Sequence, residues 1–348
     1  MLIASLYSIV FYVFWLFVVY FIGEKVYLVT MHYFIAQKKI ALFKQQSHDV
    51  YGKVKDFKLN DDLEENIPKM GVKQLQDLLT SKKASCVDLV KFYTRTAIQR
   101  CATLNYVTEY FYYEAVELAE KRDKQLKELI SKGGQLPVLF GIPMSLKDVI
   151  EVKGRDTSLG STNFCFKPEI KNGLVVDMLL EAGAIPFVKT NAPQLLLINE
   201  TNNWVWGRAI NPWDKDRSTG GSSGGEGGIV AMGCSPLGLG SDGGGSVRIP
   251  ANYCGLYGVR PTGKRFTLLG HKPPSSYTPR HIFGCMGPLA KSMDDCQRLL
   301  EAVQNYEMLN IYDPFLPTLK WNNQLVDEYA TSKKLRIGII PALNVKLL

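Results

Sequence analysis

Residues 216–228, DRSTGGSSGGEGG, hold between Ser218 and Gly228 six glycines, three serines, one threonine and one glutamate. A second cluster, GLGSDGGGS, closes on Gly245 and Ser246, 18 positions after Gly228. Glycine admits positive φ and lets backbone approach backbone or ligand closely. Hydroxyls in such a setting can act as nucleophiles or proton carriers. A flexible Gly/Ser linker is the bland alternative. The interleaved apolar runs IVAMGCSPLGLG and VRIPANYCGLYGV argue against it, because a linker needs no buried helices or strands.

Two chemistries fit such loops. Phosphate binding is the first, and residues 238–243 formally read G-x-G-x-x-G. A dinucleotide site also wants an acidic residue about 20 positions on. After Asp242 the next acid is Asp294, and no Gly-Lys followed by Ser or Thr closes a glycine loop. The phosphate match is therefore chance. Acyl transfer is the second, and it needs a nucleophile, a base and an oxyanion hole. Ser246 ends a run of three glycines, so the amides of Gly243, Gly244, Gly245 and Ser246 can converge on one point. Backbone donors aimed at a developing oxyanion contribute about 3–4 kcal/mol each.

The base is harder to find. The histidines are His32, His48, His271 and His281, and nothing in their spacing supports a Ser-His-Asp triad. Lys147, in GIPMSLKD, is the alternative. Burial disfavours an ammonium and can bring a lysine towards neutrality, where it can take a proton from serine. On spacing alone the ordinary reading of Lys147, a side chain snorkelling from a strand end, is the stronger one.

These residues need elements to position them. VKQLQDLLTSKK reads as a short helix, and Ser85 with Asp88 reads as a helix start. A helix over YFYYEAVELAEKRDKQLKELISKG ends at Gly133–Gly134. A buried strand is expected around residues 138–144. VVDMLLEAGAIPFVKTN reads as helix, glycine turn, strand; IVAMGCSPLGLGSDG repeats that order; KLRIGIIP is a further strand. Helices alternating with short apolar strands indicate an α/β fold around a mixed sheet.

The chain has 348 residues, 46% hydrophobic, enough for a sizeable core. Its net charge of +8 comes from scattered bases, which does not indicate a nucleic-acid surface. Seven cysteines without CxxC spacing read as reduced, buried thiols, and no metal site or cofactor is expected. The first 23 residues carry no charged side chain, enough to span a bilayer. Lys25, Lys38, Lys39, Lys44, Lys53 and Lys55 follow it, which puts the downstream domain on the cytoplasmic side. Residues 24–60 read as an interfacial helix leading into a linker.

GGSSGGEGG, PLGLGSDGGGSVRIPANYCGLYGVRPT and the upstream GIPMSLKD together resemble the amidase signature family. The likeness extends through KGRDTSLGST, GAIPFVKTNAPQ and NPWDKDRSTGGSSGGEGG, over about residues 70–340. With the N-terminal apolar run, the chain is most similar to the membrane-bound fatty-acid amide hydrolases. The resemblance implies a Ser-Ser-Lys triad: Lys147 as base, Ser222 as relay after a cis peptide bond from Gly221, and Ser246 as nucleophile. Ser223 is the rival for the relay. Asp242 and Arg248 would hold the oxyanion loop. Ser218 would either bond near the relay or simply shape a turn. One departure is SDGGGS, where Gly243 stands in place of a larger residue and loosens the loop.

The implied fold is a mixed twisted sheet flanked by helices, with residues 1–23 as a transmembrane helix. Residues 24–69 would be a membrane-proximal segment and linker, and residues 70–348 the amidase signature domain. Relatives of this kind continue well past Leu348. The domain is therefore expected to be incomplete at its C-terminus, as a fragment or truncated product. The implied function is a single-pass, membrane-anchored serine amidase acting on hydrophobic amides such as fatty-acid amides. Its partners would be that substrate and the lipid bilayer, with no nucleic acid, and a homodimer is compatible with it. Two alternatives stand beside it. One is an amidotransferase A-type subunit releasing ammonia from glutamine, against which the anchor argues. The other is a catalytically silent, membrane-tethered scaffold.

Overall fold

The structure, a computed structural model, describes residues 2–272, 284–307, 309–317 and 319–331. Helices run over Leu2–Val54 (α1), Asp61–Asn66 (α2), Val72–Thr80 (α3), Cys86–Cys101 (α4), Tyr112–Ser131 (α5) and Leu174–Glu181 (α6). They continue with Gly224–Ala231 (α7), Arg248–Cys254 (α8), Met293–Gln304 (α9), Leu309–Tyr312 (α10) and Asn323–Thr331 (α11). The strands are Val107–Tyr110 (β1), Pro143–Lys147 (β2), Ile185–Thr190 (β3), Leu237–Asp242 (β4), Tyr257–Gly258 (β5) and Cys285–Ala290 (β6).

The six strands form one mixed sheet in the order β1-β3-β2-β4-β6-β5. Its central members β3, β2 and β4 are parallel, and β1, β6 and β5 pair antiparallel with their neighbours. Helices α5 and α6 pack on β3, α4 on β2 and β3, α7 on β2 and β4, and α9 on β6. Leu146, Phe187, Leu239, Phe92 and Tyr93 lie in the single large core these layers enclose. Because β2 and β4 are parallel, with Ser145 opposite Gly238, their C-terminal ends share one edge of the sheet. Lys147 ends β2 and Asp242 ends β4, so this pairing alone brings them together. Crevices at such strand ends are where open α/β sheets bind ligands.

Local signals explain most boundaries. At the start of α4 the Asp88 amide donates to Ser85 Oγ (3.0 Å) and the Ser85 amide to Asp88 Oδ2 (2.9 Å), a reciprocal capping box. The strand expected near residues 138–144 lies later, at Pro143–Lys147. Residues 138–142 turn instead, with the Phe140 amide bonded to Pro137 O and the Ile142 amide to Leu139 O. The correction matters, because it puts Lys147 inside the sheet rather than beyond a strand end. The strand expected at KLRIGIIP lies outside the described residues.

All eight residues of α7 are buried. The helix fits because its glycines let it approach its neighbours. A Cβ on Gly228 would lie 2.2 Å from Tyr106 Cε1, a fully buried ring whose hydroxyl donates to Ile210 O (2.5 Å). Gly to Ala inside a helix ordinarily stabilises by about 1 kcal/mol. Here the sign reverses: Gly228→Ala is expected to destabilise by about 1–3 kcal/mol through overpacking. Thermal unfolding in detergent checks this, and an unchanged or raised Tm contradicts it.

Helix α1 is continuous, so residues 24–54 extend the N-terminal apolar run rather than breaking into a separate interfacial helix. Nor is the segment before residue 70 a loose linker, since Val50, Val54, Leu63 and Ile67 are buried in the main core. Further up, Lys39 Nζ meets Asp156 Oδ2 (2.7 Å), and the Phe43 ring stacks on Tyr110 at 5.9 Å and 7°. Beyond that docked portion, Phe11 to Ile22 expose apolar side chains. Among the described residues α1 is the one helix whose length and composition would cross a membrane. The seven cysteines are all free and buried.

Candidate active site

Lys147 is fully buried at the end of β2, with Thr190 beside it on β3. Its Nζ lies 2.6 Å from Ser222 Oγ and 3.0 Å from Ser241 Oγ. No carboxylate forms an ion pair with it among the described residues; its partners are those two hydroxyls and, at 3.4 Å, the Ser241 carbonyl. Burial pushes the amine down to about 7, and the charges of Asp242 and Glu226 only partly oppose that.

Ser222 sits on the loop entering α7, and the Gly221–Ser222 peptide bond is cis. Ser223, the rival relay, faces elsewhere: its Oγ donates to Ser241 O and accepts from the Ser241 amide, both at 3.3 Å. It thus laces the loop to β4 while Ser222 takes the lysine. The Ser223 amide also donates to Ser246 O (3.0 Å), which ties the second serine loop to the first. Ser246 itself is half-buried, and Gly243 and Gly244 before it are exposed. Among the described residues, the Ser246 hydroxyl has no hydrogen-bond partner. Ser218 is a turn residue, accepting at its Oγ from the Gly220 amide (3.0 Å), and it does not reach Lys147.

Asp242 organises the oxyanion loop. Its buried carboxylate accepts from the amides of Gly245 (2.7 Å), Val247 (3.1 Å) and Arg248 (3.3 Å). Arg248 adds Nε and Nη2 donors, both at 3.0 Å, and Arg260 stands 3.6 Å away. Burial alone would raise this carboxyl; the Arg248 guanidinium and the three amides outweigh it and hold it down at about 2. Gly245 adopts φ +121°, a conformation open to glycine, and its amide donates to Asp242. From sequence, Gly245 is expected among the outward donors. In the structure its N–H is already committed to Asp242. The amides of Gly243, Gly244 and Ser246 have no acceptor among the described residues.

Several residues here went unnoticed in sequence. Glu226 is fully buried and accepts from Ser145 Oγ (2.5 Å) and Thr190 Oγ1 (2.6 Å). Lys189, one position before Thr190, is a second fully buried lysine, but it is paired with Asp148 at 3.0 Å. The contrast singles out Lys147, among the described residues, as the fully buried amine without a salt-bridge partner. A buried lysine with no carboxylate partner leaves little trace in one sequence, because three strands and a helix must assemble before the burial exists.

The histidines do not replace it. His32 Nδ1 contacts Thr162 Oγ1 (2.7 Å), and His48 lies on α1. His271 bridges to Ile150; burial and then the Lys147 charge push it down to about 4. His281 is outside the described residues. No group of acidic, histidine and cysteine side chains among the described residues could hold a metal ion.

The chain as a whole is similar to known proteins. A family model described as Amidase matches residues 92–348. The chain is 38% identical over 219 residues to the vitamin D3 hydroxylase-associated protein of Gallus gallus, covering 63% of this chain and 45% of that protein. It is 36% identical over 273 residues to fatty acid amide hydrolase 1 of Caenorhabditis elegans, covering 78% of this chain and 46% of that protein. A solved structure of a fatty acid amide hydrolase superposes with a TM-score of 0.73 at 29% identity, over 83% of this chain and 55% of that one. Other matched relatives carry only the general name amidase. The chain spans about half the length of these proteins.

Proposed function

Since the chain belongs to the amidase signature family, we propose that it hydrolyses carboxylic amides through an acyl-enzyme on Ser246, with Lys147 as base and Ser222 as relay. One observation carries the reading: Lys147 Nζ, fully buried, lies 2.6 Å from the hydroxyl of Ser222. An amine held near 7 is half neutral at neutral pH and can accept a proton. Ser222 passes its proton to Lys147 Nζ and takes one from Ser246 Oγ. The Ser246 oxygen attacks the amide carbonyl, and the oxyanion rests on the amides of Gly243, Gly244 and Ser246. Lys147, now an ammonium, returns the proton through Ser222 to the leaving nitrogen, and the C–N bond breaks. Water then attacks the acyl-enzyme by the same relay and frees the acid.

The substrate class we propose is a hydrophobic amide, such as a fatty-acid amide. The similarity to fatty acid amide hydrolases supports it, as does the apolar, exposed first half of α1. In this reading residues 1–23 anchor the chain in a bilayer and the catalytic domain faces the cytoplasm.

The test is covalent labelling with an alkyl fluorophosphonate, followed by mass spectrometry of the labelled peptide. A single adduct on Ser246, absent from Ser246→Ala, is the expected result. A folded protein without adduct, or with the adduct elsewhere, overturns the assignment. Competition by a long-chain acyl amide but not by glutamine is expected to protect Ser246. The reverse order of protection overturns the substrate class.

A further inference from the structure

The reaction as drawn gives no task to Glu226, yet the chain goes to some length to bury it. The residue lies four positions after Ser222, on α7, with no exposed surface. Its two oxygens accept from Ser145 and Thr190. Ser145 lies two residues before Lys147 on β2, so both side chains leave the same face of the sheet. Thr190 is the register partner of Lys147 on β3. The two hydroxyls that grip the carboxylate are thus the neighbours of the catalytic amine along its own strand and across to the next. Space has been cleared for it as well: a Cβ on Gly238, the β4 partner of Ser145, would stand 2.1 Å from Glu226 Oε2.

A buried carboxylate is strongly disfavoured unless something compensates its charge. Glu226 makes no ion pair among the described residues. The groups around the amine are few. Asp242, at the end of β4, is already matched by Arg248 and Arg260. His271 is held neutral, and Asp148 is paired with Lys189. Glu226 is left as the buried carboxylate with no cation of its own, and after Asp242 it is the second charge that favours the ammonium forming on Lys147 during acylation.

We propose that Glu226 is a positioning residue that sets the proton affinity of Lys147, held beneath it by Ser145 and Thr190. The inference rests on the amidase reading above. Burial lifts Glu226 itself to about 7, against the Ser145 and Thr190 bonds and the Lys147 charge, so its charge is present above that pH. There the carboxylate favours the ammonium and makes the buried amine a stronger base for drawing the proton from Ser246 through Ser222. Removing that charge leaves only Asp242 to oppose burial, so the amine loses its proton at lower pH and becomes a weaker base.

The experiment is the rate of fluorophosphonate acylation as a function of pH, for the full chain in detergent. In the unaltered protein the rate is expected to rise with pH through a midpoint near 7. Glu226→Gln keeps the shape and removes the charge. Its midpoint is expected to fall by about one pH unit or more, and its high-pH plateau by about tenfold. Ser145→Ala removes one donor to the carboxylate at little change in volume, and serves if Glu226→Gln does not fold. It is expected to move the midpoint in the same direction by a smaller amount. Midpoints that stay in place in the folded variants overturn the role of Glu226 and leave the amidase reading intact. If the unaltered protein does not acylate at all, both fall.

Discussion

Replacing Lys147 by methionine is expected to slow acylation of Ser246 about 10,000-fold, the upper end of what a positioned general acid–base contributes. Methionine fills the same channel without a titrating group. The loss therefore comes with a change in pH dependence: the rise through about pH 7 disappears from the variant. Stability moves the other way. The folded amine is depressed from 10.5 to about 7, so between those values the unfolded chain binds the extra proton. Native stability accordingly rises with pH across that window, and below it the full penalty of burying the amine applies. The methionine variant escapes the penalty, so its Tm at pH 7 is expected to equal or exceed that of the parent. Stopped-flow labelling and calorimetry read the two effects. A variant that acylates within tenfold of the parent removes Lys147 from the mechanism.

The second large effect is expected at Asp242. Asp242→Asn keeps the volume but exchanges one acceptor oxygen for an NH₂ group, in a place where five donors converge. The Gly245 amide or the Arg248 side chain must then lose its partner. The loop that carries the Gly243, Gly244 and Ser246 amides shifts with it. One misplaced oxyanion donor lowers the rate about 100- to 1,000-fold, and that is the fall expected here. Breaking a buried charge network on one side also destabilises by about 3 kcal/mol. The slope with pH has the same sign as at Lys147, because both groups give up their proton more readily in the folded chain; here the ionised form contributes stability, whereas at Lys147 the protonated form costs it. A carboxyl depressed from 3.8 to about 2 contributes stability that is full above its unfolded value and is lost as pH falls through about 2. Parent and variant should thus converge in stability at the acid end. Equal labelling rates in the two proteins would mean that the loop holds its shape without this anchor.

Much of this site can be read from one sequence, and the rest cannot, for physical reasons. The order of lysine motif, double serine and glycine-flanked serine is legible because each needs specific residues within a short stretch. The Ser85–Asp88 cap is legible for the same reason. The burial of Lys147 is not, since it depends on β3, β4 and α7 closing over β2. Lys189 shows the ambiguity, as it too is fully buried at a strand end and yet is an ion-pair partner of Asp148. Glu226 is not legible either, because a glutamate among glycines looks like a solvated loop residue until α7 forms. The shift of β2 to Pro143–Lys147 reflects a competition between apolar character and turn chemistry. Residues 138–142 are apolar enough for a strand, but their amides close turns instead.

The unbroken course of α1 has a mechanical consequence. From Gly23 to Val54 it advances about 46 Å at the usual rise per residue, and its far end is locked into the protein by Lys39, Phe43, Val50 and Val54. If its first turns sit in a bilayer, this segment is a strut and not a leash. The catalytic mouth then rides at a set height and heading above the lipid, and lateral diffusion carries it along the surface without letting it swing. Inserting a few glycines between Gly23 and His32 would turn the strut into a swivel while leaving every group at the reaction centre in place.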